Sequence, residues 1–231
     1  MQRRIRFMLA GGAALAAAGA AMLVPGQFAL SADHLDPPTR TDPAVDTTRA
    51  DTAADIADVY AFYDPTYAYF AVSFAGPQPA SDAGFPAGSR GYYDRDVLYT
   101  LNISNSPPAT SSDISIRWRF GQGTNGTGSG ISVENVPGAS GPIVGRVEEI
   151  LRSSNGTNDV LVYAGLRDDP FFFDLQGFRE TLAMATLRFD RTRNFFRDKN
   201  DTIVIIGIPR ARLGAGPFDV HATTARFGGQ I

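Results

Sequence analysis

A strict alternation of apolar and polar residues from Ile114 to Phe120 constrains the fold more than any other feature of this chain. Every second residue in this stretch is apolar (Ile114, Ile116, Trp118 and Phe120). The residues between them are Ser115, Arg117 and Arg119. This spacing puts all the apolar side chains on one face of a β-strand and the polar ones on the other. A strand with one buried and one solvated face is typical of an antiparallel sheet.

Similar short runs follow one another along most of the chain. Asp64-Pro65-Thr66 separates two apolar stretches, which predicts a hairpin between 59–63 and 67–74. Residues 203–208 are apolar on both faces, so we predict a central strand there. The other predicted strands are 97–103, 131–136, 144–151, 160–164 and 218–222. With 24 glycines and 15 prolines, this pattern predicts a mainly β chain, a single antiparallel β-sandwich with one or two short helices.

The first 31 residues are predicted to be a signal peptide. Arg3, Arg4 and Arg6 precede an apolar stretch over 7–24, and Ala29-Leu30-Ser31 offers small residues for cleavage. An uncleaved N-terminal anchor is the alternative. The paired arginines leave the general secretory and twin-arginine routes both open. We therefore expect a periplasmic or secreted protein that is not integral to the membrane once the leader is removed.

Charge and cysteine content exclude several classes of function. Loss of the three leader arginines leaves 18 basic against 24 acidic residues, a net charge of −6. Nucleic acid is therefore not an expected partner, because its binding needs clustered Lys and Arg. The chain has no cysteine, which excludes covalently attached haem c, iron–sulfur clusters and thiolate zinc sites.

Residues 32–56 are predicted to form an Asp-rich extended arm packed on a β-sandwich domain over 57–231. Cleavage after Ser31 would expose Ala32-Asp33-His34, a nitrogen donor set that suits Cu²⁺. Oxygen donors such as Asp33, Asp36 and Asp58 could instead hold Ca²⁺. The other interpretation of the arm is structural, with carboxylates that cap turns and a histidine that hydrogen-bonds to the domain.

The motif Ala164–Asp174 reads Ala-Gly-Leu-Arg-Asp-Asp-Pro-Phe-Phe-Phe-Asp. Asp169 before Pro170 predicts a helix that begins at Pro170. Its apolar face would then comprise Phe171, Leu175, Phe178 and Leu182. We interpret the motif as structural, and this covers Arg167, Asp168, Asp169, Pro170, Phe171, Phe172, Phe173 and Asp174. The alternative is that its paired carboxylates serve hydrolysis, which needs one acid and one base or nucleophile.

Tyrosines are crowded before residue 100 and suggest a binding surface. Amphipathic aromatic side chains on a sheet can stack on sugars or contact a partner protein. The residues predicted for such a face are Tyr60, Tyr92, Tyr93 and His221. The alternative is that these rings fill the core or the rim of a sheet.

Four segments resemble the domain of unknown function 4331 family of exported bacterial proteins. They span nearly all of residues 32–231: 32–38 with 55–62, 97–103 with the Trp118 strand, 164–174, and 199–209 with 220–224. Members often carry an Asp-rich loop after the 97–103 strand, whereas this chain has Asn102 to Pro108 there, with Asp113 as the first carboxylate. Members commonly have Trp where this chain has His221. The resemblance implies an exported β protein and no particular reaction.

From these features we predict a non-catalytic binding or structural protein of the bacterial envelope, with a divalent metal as the first candidate ligand. The two alternatives are a metal- or carboxylate-dependent hydrolase acting on envelope material and a glycan-binding sandwich module. A glycan and another envelope protein are the remaining candidate partners.

Overall fold

A computed structural model describes residues 37–40, 50–79, 93–106, 112–123, 128–154, 156, 158–214 and 216–227. The predicted signal peptide lies outside them. The described residues form ten strands and one α-helix. In chain order these are β1 Ile56–Tyr63, β2 Tyr67–Pro79, β3 Val97–Ser104, β4 Ile114–Gln122, β5 Ser129–Glu134, β6 Ile143–Arg146, β7 Leu151–Arg152, β8 Leu161–Asp168, α1 Leu175–Met184, β9 Lys199–Pro209 and β10 Asp219–Arg226. Two single-turn 3₁₀ helices, Thr52–Ala54 and Arg210–Arg212, complete the secondary structure.

The strands build two antiparallel five-stranded sheets, so the predicted mainly β sandwich is confirmed. The first sheet has the order β1-β2-β9-β8-β7, and the second has the order β10-β3-β4-β5-β6. Apolar side chains from both sheets form one buried core between them. Phe74 of the first sheet packs on Tyr99 of the second, with ring centroids 4.5 Å apart. Tyr99 in turn stacks on Trp118 at 5.5 Å.

Several predicted strands are confirmed in detail. The alternation over 114–120 places Ile116, Trp118 and Phe120 in the core. The predicted hairpin exists, because the Asp64 carboxylate accepts the backbone N–H groups of Thr66 and Tyr67 at 2.7 and 2.6 Å. As predicted for 203–208, β9 is the middle strand of its sheet.

Two local predictions are wrong. The strand predicted over 144–151 ends at Arg146, and after a turn Leu151 begins a strand of the other sheet. Glu148 in that turn has a positive φ of 64°, which lies outside the β region that a regular strand requires. The helix predicted to begin at Pro170 begins at Leu175, so Phe171 is not part of its apolar face. Asp169 instead accepts the Phe171 N–H at 2.9 Å in a local turn.

The described part of the predicted arm is packed rather than free. Thr39 and Ala50 form an isolated antiparallel bridge. The Ala53 carbonyl accepts a hydrogen bond from the Tyr99 phenol, and the Ala54 carbonyl accepts one from Thr224 at 2.8 Å. The segment 50–55 is therefore tied to both β3 and β10.

Residues Phe172–Phe195 belong to a compact unit distinct from the unit that holds the two sheets. α1 is capped by Asp174, whose carboxylate accepts the Gly177 N–H at 2.8 Å. The chain leaves α1 through Ala185 in the left-handed conformation and returns alongside it. Phe195 N–H then bonds to the Phe173 carbonyl at 2.8 Å, which closes the unit. No helix in the described ranges is long and apolar enough to cross a membrane.

Candidate functional site

The outer face of the first sheet carries an aromatic surface. Alternate residues of its strands, such as Phe70, Val72 and Ile206, point into the core, so the residues between them point outward. The strand registers align these outward residues in two adjacent rows, Phe62–Tyr69–Gly207–Leu161 and Tyr60–Ala71–Ile205–Tyr163. We call Tyr60, Phe62, Tyr67, Tyr69 and Tyr163 the aromatic face.

Three rings of the aromatic face stack side by side. Phe62 lies 5.3 Å from Tyr69 at an interplanar angle of 20°, and Tyr69 lies 5.7 Å from Tyr67 at 29°. Gly207 makes room for this row, because a Cβ at that position would come within 3.0 Å of the Tyr69 ring. Phe62 at the end of the row is 52% exposed. The Phe62 ring is therefore partly open to solvent.

The phenol groups of the face are all held by hydrogen bonds. Tyr60 donates to Asp58 at 2.9 Å, and Tyr69 donates to Asp64 at 3.0 Å. Tyr67 donates to the Asp159 carbonyl at 3.0 Å, and Tyr163 donates to Glu148 at 2.6 Å. Because each of these tyrosine rings is fixed before any ligand arrives, binding to them loses little side-chain entropy.

Two carboxylates at the borders of the face are ionised. Backbone N–H groups of Tyr67 and Thr66 hold the pKa of Asp64 below its ordinary value. Partial burial alone raises the pKa of Glu148, but hydrogen bonds from Tyr163, Leu166 N–H and Arg167 outweigh it and bring the pKa below its ordinary value. Arg167 also lies over the Tyr163 ring, 4.6 Å from its centroid. The face is thus bordered by charged hydrogen-bonding groups.

The end of the face beyond Tyr60 is acidic and buried. Burial is the main cause that raises the pKa of Tyr60, followed by its hydrogen bond to Asp58 and the charges of Asp169 and Asp201. Asp201 is only 1% exposed, and Asp58 and Asp169 are also buried. Gly76 packs directly over the Asp201 carboxylate, where a Cβ would collide with it. These carboxylates are near one phenol, but a substrate has no open access to them.

The structure does not bring the residues of the predicted binding face together. Tyr60 belongs to the aromatic face, whereas His221 is exposed on the outer face of the second sheet, in register with Asn102. Tyr93 packs against the core, with its ring 5.0 Å from that of Phe120. Tyr92 lies outside the described residues.

Of the four predicted metal ligands, Asp58 lies among the described residues. His34, Asp33 and Asp36 lie outside the described residues. Asp58 is buried on β1, where it accepts the Tyr60 phenol and its backbone N–H donates to Ser73 at 3.2 Å. Within the described ranges, no group of three or more His, Asp or Glu side chains is arranged to hold a metal ion.

The 164–174 motif spans the end of β8 and the approach to α1. Arg167 pairs with Glu148 at 2.9 Å, and Asp168 is the exposed last residue of β8. After the turn made by Asp169 and the exposed Pro170, Phe171 meets Phe196 edge to face at 5.2 Å. In the 172–195 unit, Phe172 is exposed and Phe173 packs on Phe178. Asp174 caps α1 and pairs with Arg193 at 2.8 Å.

No protein-family model matches this chain, and neither curated proteins nor solved structures include a significant match to it. The resemblance to the domain of unknown function 4331 family therefore stays a prediction. The class that the fold itself defines is a two-sheet antiparallel β-sandwich with an aromatic outer face.

The residues that organise the aromatic face are not evident from the sequence alone. Tyr163 and Glu148 are 15 residues apart in the chain but share a hydrogen bond. Asp201 of β9 is far from Tyr60 of β1 in the sequence, yet its charge contributes to the raised pKa of the Tyr60 phenol. The alternation of Tyr67 and Tyr69 on one strand was the available signal, because residues two apart share a face.

Proposed function

We propose that this protein is an exported, non-catalytic binding protein of the bacterial envelope, and that it binds a glycan on the aromatic face. The observation that carries the proposal is the row of stacked rings that ends in the half-exposed Phe62. Export is supported by the predicted leader over 1–31.

The chemistry of the face suits a sugar ring. The C–H face of a pyranose is apolar and packs on an aromatic ring, while its hydroxyl groups need hydrogen-bond partners at the ring edge. Phe62 offers the apolar ring, and Asp64 lies next to the same row through its bond to Tyr69. An ionised carboxylate accepts several hydrogen bonds, so Asp64 can take sugar hydroxyls in addition to its present donors.

Catalysis is not part of the proposal. A glycoside hydrolase needs one carboxylic acid and one carboxylate that both reach the scissile bond. Asp58, Asp169 and Asp201 are all buried beside Tyr60, so they cannot flank a substrate. The open carboxylates at the face are bound by donors that favour the ionised form, which does not suit a general acid.

The test is affinity gel electrophoresis of the exported protein through gels that contain soluble β-glucan, xylan or peptidoglycan fragments. We expect retardation by at least one polymer. Replacing Phe62 with alanine should weaken that retardation about tenfold or more, as for loss of a central aromatic contact. Phe62 makes no hydrogen bond through its side chain, so the variant should remain folded.

The matched control is Phe227→Ala. Phe227 is also a strongly exposed phenylalanine of the same unit, but it follows β10 of the second sheet. Equal loss of retardation in the Phe62 and Phe227 variants, or no retardation of the native protein by any polymer, would overturn the assignment of a glycan to the aromatic face.

A further inference from the structure

The 172–195 unit concentrates exposed apolar side chains. Of the ten large apolar side chains that are exposed among the described residues, five lie in these 24 residues: Phe172, Leu182, Met184, Leu187 and Phe189. Three of them lie at the turn where the chain leaves α1 and comes back. Leu182, Met184 and Leu187 are 46%, 58% and 71% exposed. We call residues 182–191 the hairpin tip. Exposed apolar clusters of this kind are typical of surfaces that contact another protein or a membrane.

The tip is held in place by interactions within the unit. Phe178 packs between Phe173 at 5.4 Å and Phe189 at 6.4 Å. Beyond the turn, Arg188 N–H donates to the Thr181 hydroxyl at 2.9 Å and Asp190 N–H donates to Asp174 at 2.7 Å. The returning chain is therefore fixed along the helix, and the exposure of the tip is a property of the ordered unit.

The charges of the unit are separated by sign. Its three carboxylates are engaged, since Asp174 and Glu180 lie within 2.8 and 3.8 Å of Arg193, and Asp190 accepts the Thr192 N–H and hydroxyl. Three other guanidinium groups, on Arg179, Arg188 and Arg191, have no acidic partner in the part of the chain that the structure describes. Arg188 and Arg191 belong to the tip, and Arg179 is one helical turn before Leu182. The exposed aliphatic residues are thus flanked along the chain by arginines that have no acidic partner among the described residues.

We propose that the hairpin tip docks this protein onto an anionic lipid surface. Aliphatic side chains at the tip would enter the boundary between headgroups and acyl chains, and arginines beside them would bind lipid phosphates. The charge pattern favours lipid, because an acidic chain, with a net charge of −3 that becomes −6 on loss of the three leader arginines, is repelled by an anionic surface except where basic groups are gathered. A hydrophobic protein partner would not need three free arginines around the contact.

The test uses the exported protein and sedimentation with vesicles of phosphatidylcholine that contain about one third phosphatidylglycerol. We expect binding to these vesicles, little binding to pure phosphatidylcholine, and a decrease as salt screens the charges. The double variant Arg188→Gln, Arg191→Gln should bind about fivefold more weakly for each arginine removed. A second, separate double variant, Met184→Ser with Leu187→Ser, should lose most of the binding of the native protein, because it removes the inserted apolar groups.

Matched controls come from the sandwich. Val144 and Ile150 are as exposed as Leu187, so Val144→Ser with Ile150→Ser should leave lipid binding unchanged. Arg119→Gln removes an exposed arginine of β4 and should matter less than either tip arginine. Thermal unfolding confirms that all variants are folded. Binding that is absent, or that is the same in tip and control variants, overturns the proposal. Tip variants that change the association state in sedimentation velocity but not lipid binding also overturn it, in favour of contact between copies.

Discussion

At the scale of single residues, Glu148 joins three separate parts of the chain. Its carboxylate accepts hydrogen bonds from Tyr163, Leu166 N–H and Arg167 at 2.6–2.9 Å, and from the more distant Tyr93 phenol at 3.4 Å. We expect Glu148→Gln to destabilise the fold by about 1–3 kcal/mol, because an amide cannot satisfy all these donors and leaves part-buried groups unpaired. Urea unfolding at pH 7 measures this free energy.

The effect of Glu148→Gln should depend on pH in a defined direction. The pKa of Glu148 is lowered in the folded protein, so its ionised form stabilises the fold above the unfolded pKa of about 4.3. This contribution is lost as the pH falls through the folded pKa, and the difference between native protein and variant should shrink there. The control is Glu149→Gln, since among the described residues Glu149 makes only an exposed ion pair, with Arg146 at 3.8 Å. A Glu149 variant with the same loss and pH dependence would contradict the role given to Glu148.

At the scale of elements, Gly177 decides how closely the returning chain approaches α1. A Cβ at this position would overlap the Asp174 carboxylate and come within 2.6 Å of the Arg188 carbonyl oxygen. Alanine normally stabilises a helix relative to glycine, but here the clash should reverse the sign, with a cost of about 1–3 kcal/mol. We expect Gly177→Ala to speed amide hydrogen exchange in 172–195 selectively.

The control for Gly177→Ala is Gly121→Ala. Gly121 is at the end of β4, and a Cβ there would have no heavy atom within 4 Å. This second variant should change exchange little anywhere in the chain. Unaltered exchange of the 172–195 unit in the Gly177 variant would show that the unit tolerates a wider spacing between α1 and the returning segment.

The start of α1 is a feature that local sequence patterns do not predict correctly. Asp169-Pro170 has the local chemistry of a helix start, yet α1 begins five residues later at Leu175, with Asp174 as its cap. Two Asp residues near one helix offer equivalent caps, and pairing with Arg193 and with Asp190 N–H favours Asp174. Asp190 is 16 residues and Arg193 is 19 residues from Asp174 in the sequence, so no local pattern reveals these partners.

At the scale of the whole molecule, alternation was sufficient to predict the sandwich but not its candidate sites. The core residues of β4 follow from the alternation of apolar and polar residues. The central position of β9 follows from a run that is apolar on both faces. The aromatic face requires the registers that align β1, β2, β9 and β8. Register is set by the packing of whole sheets, so a sequence that predicts each strand still leaves unknown which outward side chains become neighbours.

A largely buried ion cluster joins the last strand to two earlier segments of the described chain. Arg226 of β10 donates to Asp51, with Nε 2.5 Å from Oδ2, and to Asp94 at 2.9 Å. The Arg226 and Asp51 side chains are 3% and 5% exposed. Hydrogen bonds from Arg226 to Asp51 raise the pKa of the guanidinium, so it stays charged. This cluster ties 50–55 and the turn before β3 to the last strand.

Arg226→Ala should therefore cost about 3–5 kcal/mol of unfolding free energy, because it leaves the Asp51 charge buried without its cation. Arg226→Met combined with Asp51→Asn should recover much of that loss, because the carboxylate that then lacks its cation is Asp94, whose side chain is 24% exposed, and no longer the buried Asp51. The control is Arg95→Ala, which removes an exposed pair with Asp96 at 3.7 Å and should cost less than about 1 kcal/mol. Equal losses in the Arg226 and Arg95 single variants, measured by urea unfolding, would mean that apolar packing, and not the ion cluster, holds 50–55 against β10.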